Sequence, residues 1–252
     1  MAEIYAWRGR VEVIGFDLLL NSPRGVVLGD FVVVKISGRL LSPPRSDYFK
    51  GLRDSILEAS KSVGVAIVTG GGPLARSYID VLRGLGVSEA FLDIVGIKVS
   101  RLNALALALT LMPHSHPRAF ESIEEAAEAA FKGLIPVMGG LQPGQSTNAV
   151  ALALAEALRA KLVINMLSGI DGVYKPPPGF EGSRRLDKLS YTDMEELLRA
   201  YPQIAGSYEL LDMVALRIAE RSGIKVFFTS GDDPKVIAKI VGGERVNGTL
   251  LS

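Results

Sequence analysis

The stretch from Ile135 to Ala151 limits most strongly what this chain can fold into. An apolar run stops at Gly139-Gly140, a loop rich in glycine, glutamine and hydroxyl residues follows, and an apolar helical segment begins at Ala149. A strand, a glycine-rich turn and a helix start direct backbone N–H groups and a helix dipole at one anion. The loop contains no acid or base, so it suits holding a phosphorylated ligand better than cleaving one. Taken alone, it could equally be a turn whose glycines serve only the backbone geometry.

Two other apolar runs end in the same way. Residues 31–36 lead into Ser37-Gly38, and residues 65–69 lead into Gly70-Gly71-Gly72. Apolar runs alternate with helical patterns along the chain, which predicts an α/β fold, a three-layer αβα sandwich around a mostly parallel sheet. Ligands of such sheets bind beyond the carboxyl ends of the strands. Three glycine turns on one edge therefore predict an anion-binding floor broad enough for two phosphorylated ligands.

Local signals place several helix ends. Gly64 is predicted to end the first long helix as a C′ glycine. Capping boxes are predicted at Ser122-x-x-Glu125 and at Thr192-x-x-Glu195. The helix after the triple-glycine turn is predicted to have an apolar face formed by Leu74, Tyr78, Val81, Leu82 and Leu85.

Composition excludes several classes of protein. With 252 residues and 48% hydrophobic content, the chain can bury a sizeable core as one domain. The formal net charge is +1 and the charges are interleaved, so nothing favours a nucleic acid or an acidic membrane as partner. The absence of cysteine excludes disulfides, thiolate metal sites and cysteine catalysis. Apolar runs never approach the roughly 20 residues that a membrane span requires.

The domain is predicted to occupy residues 31–252. Residues 1–30 lack the regular pattern of the rest, and the apolar run within them lacks the features of a secretory signal. We therefore expect an N-terminal extension of unknown role that could add an edge strand.

The common nucleotide fingerprints are absent from the sequence. There is no Walker A loop, no G-x-G-x-x-G after a strand, and no protein-kinase landmark. A phosphoryl-transfer enzyme built on this chain must use a different phosphate cradle.

A series of motifs nevertheless resembles the amino acid kinase superfamily and, within it, UMP (uridylate) kinases of the archaeal type. The resemblance covers about residues 31–251 with the motifs in family order, and it implies the amino acid kinase fold. The motifs are K-I-S-G at 35–38, T-G-G-G-x-x-A-R at 69–76, D-x-x-G-I-x-x-S-R-x-N-A at 93–104, G-x-x-P-G-x-S-T-x-A-V-A at 140–151, D-G-V-Y at 171–174, A-G-S-Y-E-L-L-D at 205–212 and R-S-G-I-K at 221–225.

The resemblance implies transfer of the γ-phosphoryl group of ATP to UMP, giving UDP and ADP. It also implies Mg²⁺ that arrives with ATP, with no metal held by the protein alone, and a cytoplasmic homohexamer built from dimers. On the acceptor side it implies contacts of UMP with Gly71, of the UMP ribose with Asp93, and of the base and phosphate with a loop formed by Leu141, Gln142, Pro143, Gly144, Gln145, Ser146 and Thr147.

On the donor side, the resemblance implies that ATP is bound by Gly38, Arg39, Gly72, Arg76, Ser168, Gly169, Tyr174 and Pro177. Two of these segments depart from the family wording. Ser168-Gly169 stands where the family usually has Thr-Asn, and Pro177-Pro178 stands where it usually has Asp-Pro. The acceptor loop is intact, so the identity of the acceptor is better supported than the affinity for ATP.

Lys35 and Asn148 are the candidate catalytic residues. Lys35 ends a strand beside two glycine turns, where an ammonium group can neutralise a phosphoryl group in transfer. Asn148 stands where the family usually has an aspartate that would orient the lysine. Structural alternatives remain open for three candidates: Lys35 as a solvated strand-end lysine, Arg76 as a surface arginine, and Asp93 as a helix cap.

Two other functions remain as alternatives. One is a sibling small-molecule kinase, such as an isopentenyl phosphate kinase; that family has a histidine soon after the glycine turn, and residues 73–87 contain none. The other is a non-catalytic nucleotide-binding or storage protein of the same fold, which Asn148 and the altered ATP-side motifs keep open. His114 and His116 have the spacing of a metal pair, but with no third ligand nearby we expect a polar loop.

Overall fold

A seven-stranded sheet forms the centre of the molecule. The computed structural model describes residues 31–200 and 210–252, so the extension predicted at 1–30 lies outside the described residues, as does most of the motif at 205–212. In chain order the strands are β1 (Phe31–Ile36), β2 (Gly64–Thr69), β3 (Val137–Met138), β4 (Leu162–Leu167), β5 (Tyr174–Lys175), β6 (Arg184–Arg185), β7 (Lys188–Leu189), β8 (Lys225–Ser230) and β9 (Thr249–Leu251).

The strand order in this sheet is β3-β2-β1-β4-β8-β9-β7, and β5 pairs with β6 in a separate hairpin. The first five strands in this spatial order, from β3 to β8, are parallel to one another. By contrast, β9 runs antiparallel to β8 and parallel to β7. The mostly parallel sheet predicted from the sequence is confirmed.

Helices connect the strands, since a parallel pair of strands cannot be joined by a tight turn. They are α1 (Gly38–Leu41), α2 (Ser46–Ala59), α3 (Gly72–Gly84), α4 (Glu89–Thr110), α5 (Ile123–Phe131), α6 (Thr147–Ala157), α7 (Tyr191–Ala200), α8 (Met213–Ser222) and α9 (Val236–Val241). Among the described residues, no helix combines the length and the apolar character that crossing a membrane requires.

Both faces of the sheet are covered. Along β1, Val33 packs into one core with α5, α6, α7 and α8, whereas Val32 and Val34 pack into a second core with α2, α4 and α9. Successive side chains of a strand point to opposite faces, so two buried faces require a nearly continuous apolar strand. All six residues of β4 are buried. The predicted three-layer αβα sandwich is confirmed.

Gly64 does not end a helix, and that prediction is wrong. Helix α2 ends at Ala59, and Gly64 is the first residue of β2, where it pairs with Phe31. The helix closes without a left-handed glycine because backbone bonds satisfy its last turn: the N–H of Ser60 donates to Ile56 O at 2.9 Å and that of Val63 to Ala59 O at 3.2 Å.

Helix α3 has the predicted apolar face, but that face is not buried within this chain. Ala75 is the one buried residue of this helix, all of which the structure describes. Tyr78, Val81 and Leu85 are 55%, 65% and 75% exposed. The reason is that α3 packs beside α4 rather than on the sheet, and α4 itself contributes the buried side chains of that layer.

The N-cap predicted at Ser122 is confirmed, and the one predicted at Thr192 is displaced by two residues. Ser122 Oγ accepts a hydrogen bond from the N–H of Glu125 at 3.1 Å. Helix α7, however, is capped by Ser190 and Asp193: the N–H of Asp193 donates to Ser190 Oγ at 3.1 Å, and the N–H of Ser190 donates to Asp193 Oδ2 at 2.9 Å. Thr192 lies inside the first turn of α7 and is exposed.

Replacing Ser190 should therefore destabilise the protein, and replacing Thr192 should not. Ser190→Ala removes a capping hydroxyl, which costs about 1 kcal/mol and lowers Tm by roughly 2–4 °C in a chain of this size. Thr192→Ala, the matched control, should leave Tm unchanged or slightly higher because alanine favours the helix interior. Thermal unfolding followed by circular dichroism measures both. An equal loss in the two variants would contradict the observed cap.

Candidate functional site

The three glycine turns lie side by side at the carboxyl ends of β1, β2 and β3, as the sequence predicts. The first two are in backbone contact. A Cβ atom on Gly38 would lie 2.2 Å from Gly72 N, and one on Gly72 would lie 2.3 Å from Gly38 C. Gly72 also has a φ of +67°, which side-chain-bearing residues rarely adopt. Glycine is therefore required at both positions for the two turns to share one floor.

Helix α4 holds the second glycine turn from the side. Asn103 Nδ2 donates to Gly70 O at 2.8 Å, and Thr69 Oγ1 donates to Ser100 O at 2.9 Å. Asn103 and Thr69 are both buried. Hydrogen bonds between buried groups are costly to break without replacement, so they fix the turn to the helix.

The same helix holds the third glycine turn. Ser100 Oγ accepts a hydrogen bond from Gly140 N at 2.8 Å. Arg101 donates through Nε to Gly140 O at 2.9 Å and through Nη2 to Leu141 O at 3.2 Å. Its remaining nitrogen pairs with Glu121. Ser100, Arg101 and Asn103 belong to the motif at 93–104, but the motif alone assigned them no role. Their signal in the sequence was polar residues within an otherwise apolar helix.

A cavity of roughly 670 Å³ opens between α3, α4 and the third turn. It brings together seven of the residues predicted to bind a ligand: Gly71, Gly72, Arg76, Asp93, Gln142, Gln145 and Thr147. Gly72 and Arg76 were predicted on the ATP side, yet both line the same cavity as Asp93. The lining also includes Arg83, which pairs with Asp80 and Glu89. The guanidinium group of Arg76, the carboxylate of Asp93 and several amides face the same space, which suits a phosphorylated ligand that also carries hydroxyl groups.

Asp93 ties the loop of residues 141–147 to α4. Its Oδ2 accepts a hydrogen bond from Gly144 N at 2.8 Å, and Gly144 has a φ of +74° that favours glycine. Asp93 does not cap α4, which begins at Glu89 with Ser88 in the N-cap position. The alternative of a helix cap is therefore wrong.

The loop ends where two helices begin. Ser146 Oγ accepts a hydrogen bond from Ala149 N at 3.0 Å, which caps α6, and Ser146 also donates to Asp212 Oδ2. Asp212 Oδ1 in turn accepts from Ala215 N at 3.0 Å, which caps α8. The N-termini of α6 and α8 are thus joined through two side chains. Asp212 ends the motif at 205–212, and the sequence alone assigned it no role.

Lys35 is 8% exposed, so the alternative of a solvated strand-end lysine is wrong. Its neighbours across the sheet are Val68 on β2 and Asn165 on β4. Asn148 lies in the first turn of α6, where its Nδ2 donates to Leu210 O at 3.3 Å and its Oδ1 accepts a weak hydrogen bond from Asn165 Nδ2 at 3.4 Å.

The remaining predicted ATP-side residues form a second group on the same edge. Ser168 and Gly169 follow β4, and Tyr174 and Pro177 belong to the hairpin region after it. Because β4 neighbours β1 on the side away from β2, this group is separated from the cavity by the turn at Gly38 and Arg39. The structure therefore divides the candidates into two neighbouring regions, with Lys35 between them.

Ionised groups surround the tyrosine of this hairpin. Tyr174 OH donates to Asp171 Oδ1 at 2.7 Å, and Arg185 pairs with the other oxygen of Asp171. The hydrogen bond to Asp171 raises the pKa of Tyr174. Burial acts to raise the pKa of Asp171, but the hydrogen bond from Tyr174 and the charge of Arg185 outweigh it and lower that pKa. Tyr174 is thus a neutral hydrogen-bond donor at ordinary pH, and its orientation is fixed.

Breaking the Arg101 contacts should loosen the third turn. Arg101→Met keeps much of the side-chain volume but removes two hydrogen bonds to backbone carbonyls, each of which costs about 1.5–3 kcal/mol when the donor is charged. We expect amide hydrogen exchange in residues 140–147 to accelerate at least tenfold. Arg118→Met, which removes an arginine paired with Glu125 at the surface, is the control and should leave those amides unchanged. Equal exchange in the wild type and Arg101→Met would show that the turn does not depend on Arg101.

Proteins of known family and structure resemble this chain in sequence and in fold. A model of the amino acid kinase family matches residues 30–230. The uridylate kinase of Aeropyrum pernix is 52% identical over 216 residues, covering 85% of this chain and 96% of that relative. The uridylate kinase of Hyperthermus butylicus is 42% identical over 224 residues, covering 88% and 97%. The crystal structure of uridylate kinase from Archaeoglobus fulgidus superposes with a TM-score of 0.77 at 35% identity, covering 88% of this chain and 99% of that one.

Proposed function

We propose that this chain, which belongs to the amino acid kinase family, is a kinase that transfers the γ-phosphoryl group of ATP to UMP, giving UDP and ADP. The observation that carries the proposal is the cavity in which Arg76, Asp93 and the loop of residues 141–147 converge beside the glycine turns. Relatives named uridylate kinases, identical at up to 52% of positions, support the choice of UMP.

On the acceptor side, Asp93 binds the ribose hydroxyls of UMP, and the loop of residues 141–147 encloses the base and phosphate. Arg76 lines the same cavity as Asp93, so we assign it to the acceptor phosphate rather than to ATP. An arginine can bind a phosphate through two parallel hydrogen bonds, which orients the attacking oxygen as well as attracting it.

On the donor side, the substrate is ATP with Mg²⁺ already bound to its phosphates. The turn at Gly38, Arg39 and Gly72 binds the phosphates, and the segments at Ser168-Gly169, Tyr174 and Pro177 bind the adenosine. Within the described residues, no group of three acidic or histidine side chains could hold a metal ion. Magnesium commonly keeps several waters and is bound mainly by substrate phosphates in such enzymes.

The chemistry needs no base. The nucleophile is a phosphate oxygen of UMP, which is largely ionised at pH 7 because the second pKa of a phosphate monoester is about 6. A bond forms between this oxygen and the γ-phosphorus as the bond to the ADP oxygen breaks. The protein supplies in-line positioning and charge stabilisation. Lys35, buried between the two regions, neutralises charge on the group in transfer.

The direct test is ADP release with UMP, CMP, dCMP and isopentenyl phosphate as acceptors. We expect turnover to be highest with UMP. Turnover chiefly with isopentenyl phosphate would identify a sibling kinase. Tight UMP binding by calorimetry without ADP release would instead identify a nucleotide-binding protein and overturn the proposal.

Arg76→Met should weaken the use of UMP and leave that of ATP nearly unchanged. Losing a charge-assisted hydrogen bond to phosphate costs about 1.5–3 kcal/mol, or roughly 10- to 150-fold in the KM for UMP. The KM for ATP should change less than about threefold. Steady-state kinetics with each substrate varied in turn measure the two values. A larger effect on ATP would return Arg76 to the donor side.

Lys35→Met should lower kcat by roughly two or more orders of magnitude while the Kd for UMP stays within a few-fold. A charge aimed at the transferring group stabilises the transition state more than the ground state. Single-turnover kinetics and calorimetry measure the two quantities. Near-normal turnover would remove the lysine from the mechanism.

We also propose that the active form is a cytoplasmic homohexamer in which a second copy of the chain covers the exposed apolar face of α3 and α4. Large apolar side chains that stay exposed in one chain favour such an interface. They are Leu74, Tyr78, Val81, Leu85, Phe91, Ile94, Leu102, Leu109 and Met112. The cytoplasm is where both proposed substrates are available.

Sedimentation equilibrium should give six chains for the wild type and fewer for Val81→Asp; a monomeric wild type would contradict the assembly.

A further inference from the structure

Asn165, on β4, has a buried acceptor without a partner. The residue is 2% exposed, and its Oδ1 receives no hydrogen bond within the part of the chain that the structure describes. A buried carbonyl oxygen without a donor carries a free-energy cost. A donor that reaches Oδ1 when ligands are bound would remove this cost.

The two ends of the Asn165 amide face different neighbours. Its Nδ2 donates to Leu210 O at 3.2 Å and, more weakly, to Asn148 Oδ1 at 3.4 Å. These bonds fix the amide group beneath the N-termini of α6 and α8. They also leave Oδ1 on the other side of the amide, away from Leu210 O and Asn148 Oδ1.

Lys35 lies opposite Asn165 in the sheet. The two residues are register partners on parallel strands β1 and β4, which lie about 4.8 Å apart. Both are buried. Paired residues of neighbouring strands project to the same face, so the ammonium group of Lys35 and the amide of Asn165 share one side of the sheet.

We propose that Asn165 is a positioning residue, whose Oδ1 accepts a hydrogen bond from Lys35 Nζ when both nucleotides are bound. This bond directs the ammonium group at the phosphoryl group in transfer. The inference rests on the proposed function. Nucleotide phosphates at pH 7 offer acceptors and few donors, so they do not satisfy Oδ1 themselves; an ammonium group can bond to Oδ1 and to a phosphate oxygen at once, because it has three N–H donors.

A neutral acceptor suits this position better than a carboxylate. A carboxylate would hold the ammonium more strongly, but it would also cancel part of its charge and repel the phosphates at short range in a site of low dielectric. In this proposal, the amide of Asn165, held by the carbonyl of Leu210 and by Asn148, offers Lys35 a neutral acceptor.

Two variants separate positioning from a structural role. Asn165→Leu keeps four side-chain heavy atoms branched at Cγ but has no polar atom, and Asn165→Asp keeps an acceptor oxygen but places a second oxygen against Leu210 O. We expect kcat to fall 10- to 100-fold in Asn165→Leu and less than tenfold in Asn165→Asp, with both KM values within threefold. Thermal stability should rank in the opposite order, with Asn165→Leu the more stable. If kcat and stability instead follow the same order, the role is structural and the proposal fails.

A double-mutant cycle tests whether Asn165 acts through Lys35. In a Lys35→Met background, Asn165→Leu should leave the residual turnover unchanged within twofold, because the group that it positions is gone. An equal fractional loss in both backgrounds overturns the proposal. Met166→Leu, on the neighbouring position of β4 that faces the other core, is the control and should keep kcat within twofold in either background.

A crystal structure with UMP and a non-hydrolysable ATP analogue tests the contact without depending on turnover. We expect Lys35 Nζ about 2.8 Å from Asn165 Oδ1. A water molecule on Oδ1, or a distance beyond about 4 Å, overturns the proposal. Failure of the proposed function would appear separately, as a wild type without ADP release from any phosphate acceptor.

Discussion

The contact between the backbones of Gly38 and Gly72 is the constraint on which the rest of the site depends. With any side chain at either position, the Cβ atom would lie within 2.3 Å of the other turn, so the two turns would separate. Their contact closes the gap between the ends of β1 and β2. It also puts the proposed donor and acceptor regions next to each other, which an in-line transfer between two bound nucleotides requires.

Helix α4 is the common support of the acceptor region. Ser100, Arg101 and Asn103 hold two glycine turns, and Asp93 holds the loop that encloses the cavity. The same helix presents exposed apolar residues on its outer side, among them Phe91 and Leu102. A single rigid element thus links the cavity to the surface that we propose as an interface, so a shift of α4 on assembly would move the loop and both turns together.

Two linked amide side chains lie next to Lys35, one of them on its register partner in the sheet. Asn148 and Asn165 are neutral, and both are tied to the carbonyl of Leu210 just before α8. The N-termini of α6 and α8, joined through Ser146 and Asp212, lie over this point. Helix N-termini favour negative charge, so they add to the attraction for phosphate without requiring further cations.

The sequence by itself determined the layers, the sheet edge and the family. Continuous apolar strands and glycine turns are local signals, and each follows from a requirement of the chain at that point: two buried faces, or a backbone without a Cβ atom.

The tertiary structure alone decided the exposure of Val81, the cap at Ser190 rather than Thr192, the cavity that Arg76 lines, and the orphaned oxygen of Asn165. Periodicity shows that a helix has an apolar face but not which element covers it. Two hydroxyl residues two positions apart look equally suited to a cap until the backbone direction is known. The surroundings of Arg76 and Asn165 depend on groups such as Asp93, Lys35 and Leu210, which lie far along the chain and are brought near only by the packing of the sheet and its helices.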